Sequence, residues 1–170
     1  MNKRYPISLH KKIEISIKKI IAQIVFFFLY RGMKVVVKVE NKVKTEIESW
    51  EEGFSILIKT DDNSPSLYLV KENEKITRKK MKTNADILIS FKSLEASFLM
   101  LTGRMGVEQA YAQHRFSLKG DITKAMSVVR CIDIVEAYLF PRFITKHILK
   151  EITKRKIPIL LLYIRVLIGV

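Results

Sequence analysis

The residue types that could carry a reaction are sparse in this chain and poorly spaced for one. His10, His114 and His147 lie far apart, and none has a second ligand at metal-binding spacing. There is no Gly-x-Ser-x-Gly elbow, no Walker loop and no Gly-x-Gly-x-x-Gly stretch. Gly103-Arg104-Met105-Gly106 is too short a glycine pattern for a phosphate loop and reads as a turn between helices. Asp121 could act as a general base, but it follows a strand and precedes an apolar helix, so capping is its simpler role. Cys131 sits in an apolar helical pattern and reads as a small buried hydrophobe, not a disulfide partner. No catalytic residue, metal ligand or cofactor is implied. These residues argue for holding an apolar object, and against an enzyme.

The elements that would position such a function follow from size, charge and periodicity. A chain of 170 residues is one domain with extensions and buries roughly 70% of its unfolded surface. Its apolar content of 48% argues against disorder. The 31 Lys and Arg against 17 Asp and Glu, a formal +14, attract phosphates of nucleic acid or of anionic lipid headgroups. Single-strand nucleic-acid modules interleave aromatics with basic residues. Here Phe26 to Phe28, Phe91, Phe98 and Phe116 fall in apolar stripes, away from the Arg78 to Lys82 run. A solvated basic face or a contact with an anionic membrane surface therefore fits better than nucleic acid.

Residues 1–52 read as an N-terminal helical extension. A basic lead passes into an apolar run from Ile20 to Tyr30, and Ile13, Ile17, Ile20 and Ile24 keep helical spacing. Tyr30-Arg31-Gly32-Met33 offers no signal-peptide cleavage site, and Lys18, Lys19 and Gln23 interrupt a membrane span. A cytoplasmic protein, peripheral to the inner face of the membrane, is the expected setting. Val35 to Glu52 is ambiguous between strand and helix; a helix is favoured over its later part, with Gly53 as its terminating glycine.

Periodicity then shifts toward two. Strands are expected at Phe54 to Ile58, Ser66 to Lys71, Lys75 to Met81 and Asp86 to Phe91, with turns at Asp61 to Pro65 and Glu72 to Glu74. Short connections imply an antiparallel meander. Ser93 caps a helix carrying Leu94, Phe98, Leu101 and Met105; a short helix from Val107 ends near His114. Phe116 and Leu118 form the fifth strand. Gly120 ends it, and Asp121 caps a helix whose apolar face is Ile122, Met126, Val129, Ile132, Val135 and Leu139. Residues 141–170 read as a basic amphipathic helix, with Ile144, Ile148 and Ile152 opposite Lys146, Lys150 and Lys154, followed by an apolar tail. The tail suits a membrane surface and a docked position on the core equally.

Ala85-Asp86-Ile87-Leu88-Ile89-Ser90-Phe91, then Gly103 and Ala110, then Phe116-Ser117-Leu118-Lys119-Gly120-Asp121, resemble the sterol carrier protein type of lipid-binding domain. The match covers about Phe54 to Leu139, within a domain over residues 53–140. The resemblance implies an α+β fold: a five-stranded, mainly antiparallel sheet with helices packed on one face, plus the N- and C-terminal helical extensions. It also implies an apolar pocket between sheet and helices for a fatty acyl chain, a sterol or a similar lipid. Phe91, Phe98, Leu101, Met105, Tyr111, Phe116, Met126 and Val129 are the candidate ligand-binding residues. Carriage of an apolar ligand without chemistry is the leading reading. An accessory module with a closed pocket is the second, and a basic nucleic-acid binder the third.

Overall fold

The computed structural model describes residues 8–60, 63–80, 84–149 and 154–169, apart from the His147 side chain. Helix α1 (Leu9–Val39) starts at Ser8, whose hydroxyl accepts from the Lys11 N–H. The strand-like alternation of Val35, Val37 and Val39 is overridden: the helix runs through it, because Val35 and Val36 are buried side by side. The chain bends at Glu40, and α2 (Asn41–Ser49) follows, as the later periodicity implies. Gly53 does not terminate that helix, which has already ended at Ser49. Its positive φ of 84° shapes the entry into the sheet, where its N–H donates to the Lys71 carbonyl at 2.9 Å.

The sheet comprises β1 (Ser55–Lys59), β2 (Ser66–Glu72), β3 (Lys75–Lys79), β4 (Ile87–Phe91) and β5 (Phe116–Lys119), in the order β3-β2-β1-β4-β5. Asn73 and Glu74 both have positive φ, the geometry of a tight hairpin between β2 and β3. The sheet is five-stranded and mainly antiparallel, but the uninterrupted meander is corrected: β4 pairs with β1, in parallel, Ile56 opposite Ile87. The physical reason is reach. Seven residues, 80–86, could span about 23 Å at about 3.3 Å each, while the three inter-strand spacings from β3 to β4 need about 14 Å. Ala85 packs with Leu57, Tyr68, Val70 and Leu88 on the outer face of the sheet. The expected turn residues Asp61 and Asp62 and the strand end at Met81 lie outside the described residues, as do Lys150 and Ile152 of the basic stripe.

Helices α3 (Leu94–Leu101), α4 (Val107–Ala112) and α5 (Ile122–Leu139) cover the inner face. Ser93 and Asp121 cap α3 and α5 as expected, accepting from the N–H groups of Ala96 (3.1 Å) and Lys124 (2.9 Å). The buried stripe of α5 differs from the expected one. Val135 and Leu139 are buried as expected, but they are joined by Ala125, Val128, Cys131 and Tyr138, whereas Ile122 and Met126 are exposed. At Gly32 helices α1 and α5 pack at close range, since a β-carbon there would stand 2.9 Å from Leu139 Cδ1 and 3.1 Å from Val135 Cγ1. Cys131 is fully buried, and burial pushes its thiol up to about 12.

Two short helices close the chain, α6 (Arg142–Ile148) and α7 (Ile159–Ile168). Gly103 and Gly106 form the turn between α3 and α4, and α6 rests on it. A β-carbon on Gly103 would meet Ile144 Cγ2 at 2.4 Å. The tail docks on the core, with Leu162 and Val166 buried. Arg31 Nη1 donates to the carbonyls of Val166 (3.2 Å) and Leu167 (2.8 Å), and Arg155 Nε to that of Ala137 (3.0 Å).

Candidate functional site

One face of α5 does not pack. Met126, Val129, Asp133, Glu136 and Phe140 follow one another at helical spacing of three or four, and they face three adjoining spaces. The central one, about 80 Å³, lies between sheet and helices. Its floor is Ile58 of β1, Ile89 and Phe91 of β4, and Phe116 and Leu118 of β5. Its walls are Met100 and Leu101 of α3, Val107 of α4, Leu29 of α1, and Val129 and Ile132 of α5. Asp133 and Val129 are shared with an outer space of about 430 Å³ beside α4 and α6. Glu136 and Leu29 are shared with a third space of about 270 Å³, bounded by Val25, Phe28, Leu139, Phe140 and Tyr163. Asp133 thus borders the outer space and Glu136 the third, one helical turn apart.

The spacing of inward residues along β4 and β5 produces the apolar floor. Alternation turns Ile87, Ile89 and Phe91 to the same side, and the antiparallel register sets Phe91 beside Phe116 and Ile89 beside Leu118. Against this floor the two carboxyls are conspicuous. Neither side chain has a hydrogen bond or ion pair among the described residues. Glu136 is partly buried and lines both the central cavity and the space beside Tyr163. Burial pushes its carboxyl up to about 8, with the neighbouring charge of Asp133 adding to the effect. Burial, then the charge of Glu108, raises Asp133 to about 6. Among the described residues no His, Cys, Asp and Glu group could hold a metal ion.

Of the candidate residues, Phe91, Leu101, Phe116 and Val129 line the central cavity. Met126 lines only the outer space and is 48% exposed. Phe98 is drawn away by the cations of Lys18 and Arg104, which lie 5.5 and 5.4 Å from its ring centre. Met105 is buried but lines none of these three spaces. Tyr111, 72% exposed, lies on the outside of Phe116 with ring centres 6.3 Å apart. The candidate set lacks Leu29, Ile58, Ile89, Met100, Val107, Leu118, Ile132 and both acids, all of which line the cavity. The signal for the acids was present: two carboxylates three apart on an otherwise apolar helical face form an unfavourable pair with no stabilising partner on that face.

A second feature lies on the surface. The first half of α1 leaves Leu9, Ile13, Ile17, Ile20 and Ile24 half-exposed or more, all on one side. Further along the same helix the core takes over, with Phe26, Leu29, Met33 and Val36 buried. By length and composition α1 could cross a bilayer, yet this buried face is built into the domain. α7, beside the second half of α1, exposes Leu160, Ile164, Leu167 and Ile168.

A model of the SCP-2 sterol transfer family matches residues 33–133. Comparison with curated protein sequences gives no match. Among solved structures, the chain is similar to the UbiJ-SCP2 ubiquinone synthesis protein at 17% identity and a TM-score of 0.44, covering 73% of this chain and 99% of that one. It is similar to sterol carrier protein 2 from Yarrowia lipolytica in its apo form at 16% identity, 65% and 88% coverage and a TM-score of 0.44. Palmitated SCP2L2 from Aedes aegypti aligns at 14% identity, 62% and 91% coverage and a TM-score of 0.40. The family model spans more than half of the sequence, from the end of α1 through β5 and into α5. The chain belongs to the SCP-2 sterol transfer family.

Proposed function

We propose that this protein binds an apolar ligand in the space along α5 and carries it without chemical change. The observation that supports the reading is the apolar cavity between sheet and helices, continued on both sides by adjoining spaces that share its lining. A pocket of this make-up holds a lipid by burial, with few polar groups to orient it. The test is extraction of the purified protein with organic solvent and mass spectrometry of the extract, alongside titration with fatty acids, sterols and phospholipids. Co-purified lipid and saturable binding are expected. Neither bound lipid nor saturable binding would leave the accessory-module reading in its place.

A second element of the proposal is docking on an anionic membrane surface. Exposed isoleucines on α1 and leucines on α7 sit in a chain of formal charge +14, with Lys11, Lys12 and Lys19 on the same helix turns as the exposed apolar residues of α1. Apolar insertion combined with attraction to anionic headgroups is the usual basis of interfacial binding. A carrier held there would exchange its ligand with the bilayer without passing it through water.

A further inference from the structure

Among the described residues, no basic residue lines the central cavity, and the polar side chains that do are Asp133 and Glu136. From this we infer that Glu136, assisted by Asp133, reads the head of the bound lipid and selects one that donates a hydrogen bond and carries no negative charge. The inference rests on the proposed function above.

The geometry supports it in three ways. First, Glu136 lines a space that is apolar apart from Asp133, and it has no hydrogen-bond partner among the described residues, so its carboxyl is free to bond a ligand head. Second, Glu136 stands where the central cavity meets the space under Tyr163, so a head bonded to it leaves two directions for an apolar body. Third, the groups facing this point exclude an anion. Asp133 lies one turn away, and the Tyr163 hydroxyl is already donated to the Leu139 carbonyl at 2.5 Å. A carboxylate or phosphate head would meet the charge of Asp133, with no cation among the described residues that line the cavity. Burial keeps Glu136 protonated near neutral pH, and in that form it both accepts from and donates to a hydroxyl.

The test uses the protein over residues 1–170 and three lipids with the same alkyl chain: hexadecanol, hexadecylamine and hexadecanoate. Binding is measured by displacement of a fluorescent apolar probe at neutral pH, for the wild type, Glu136→Leu and Glu136→Gln. The alcohol or the amine is expected to bind at least about tenfold more tightly than the carboxylate, the worth of one well-made hydrogen bond. In Glu136→Leu that preference falls by about the same factor, with hexadecanoate binding strengthened. In Glu136→Gln, hexadecanol binding persists, because the amide keeps a donor and an acceptor. Melting curves of both variants establish that they fold. Equal or tighter binding of hexadecanoate by the wild type would overturn the inference, as would a preference that survives intact in Glu136→Leu and so reflects partitioning alone. If none of the three lipids binds, the carrier reading fails as well. If all three bind equally, the carrier reading stands and the selection by Glu136 does not.

Discussion

Gly120 and Asp86 are locked against each other: a β-carbon on Gly120 would lie 2.1 Å from the Asp86 carbonyl oxygen. Gly120 has φ of 118°, a conformation that side chains rarely adopt. Asp86 in turn accepts from the backbone N–H of Ser55 at 2.8 Å and from its hydroxyl at 2.5 Å, while the Asp86 N–H donates back to Ser55 Oγ at 3.0 Å. One junction therefore ties the starts of β1 and β4 to the end of β5, and Asp121, next in sequence, starts α5 from it. Replacing Gly120 by Ala should cost roughly 3 kcal/mol through strain and backbone contact together. Gly53→Ala, at positive φ but in open space, should cost only about 1 kcal/mol. Urea unfolding of the two variants checks the contrast, and equal losses would remove the special status of the Gly120 site.

Glu136 predicts a stability profile of unusual sign. Its carboxyl is raised from 4.5 in the unfolded chain to about 8, so between these values the folded protein holds a proton that the unfolded chain has released. Stability must then fall as pH rises through that window, by a few kcal/mol in order of magnitude. Asp133, raised to about 6, adds a drop of the same sign in the lower part of the window. Thermal melts from pH 5 to 8 should show Glu136→Gln gaining on the wild type steadily as pH increases. A constant difference across that range would show that the carboxyl is not buried in the way described.

Much of this arrangement was legible before any coordinates, and the gaps have physical causes. The junction at Gly120 and Asp121 was readable because turn and cap chemistry is local: a strand end, a glycine and a capping carboxylate stand consecutively. The parallel pairing of β4 with β1 was not, since it depends on a long connection and not on either strand's own pattern. The face of α5 was misplaced because both sides of it are apolar. Val129 and Ile132 compete with Val128 and Cys131, and nothing in the pattern of the helix itself says which pair enters the core. Phe98 and Tyr111 have the bulk of lining residues, but cations from α1 and the following turn hold the one, and the short α4 carries the other outward.

The tail is fastened by a buried carboxylate. Glu40 accepts from the Tyr138 hydroxyl and from Lys156 Nζ, each at 3.1 Å, and the Lys156 N–H donates to the Tyr138 oxygen, also at 3.1 Å. Burial pushes the Glu40 carboxyl up, but the bonds from Lys156 and Tyr138 outweigh it and hold it below the usual carboxylate range. Tyr138→Phe should therefore cost about 2 kcal/mol, typical for a buried hydrogen bond to a charged group. The stabilisation from Glu40 is present above its unfolded value of 4.5 and is lost as pH falls through the lower folded value. Chemical unfolding at pH 7 and pH 3 tests both points: the Tyr138→Phe deficit should shrink at the lower pH. A deficit that stays the same would mean that Glu40 is not its source.

Membrane docking is best tested on the surface and not by cutting the tail. Deleting residues 157–170 would remove Leu162 and Val166 from the core and expose α1 and α5, so lost binding could follow from lost packing. Ile13, Ile17 and Ile20 offer a cleaner substitution, because each has about half of its surface in solvent and contributes little to the core. Changing each to Ser withdraws about 1 kcal/mol of apolar burial in the interface. The triple variant should then bind vesicles of phosphatidylglycerol and phosphatidylcholine on the order of a hundredfold more weakly while melting at nearly the same temperature. Binding of the unaltered protein should also weaken with salt, since the lysines around these residues act through screened attraction. Co-sedimentation across a salt series reads out both effects. A triple variant that binds as tightly as the parent would exclude α1 as the docking face. Leu160→Ser with Ile164→Ser on α7 then becomes the decisive pair, since both residues point away from the core that Leu162 and Val166 enter.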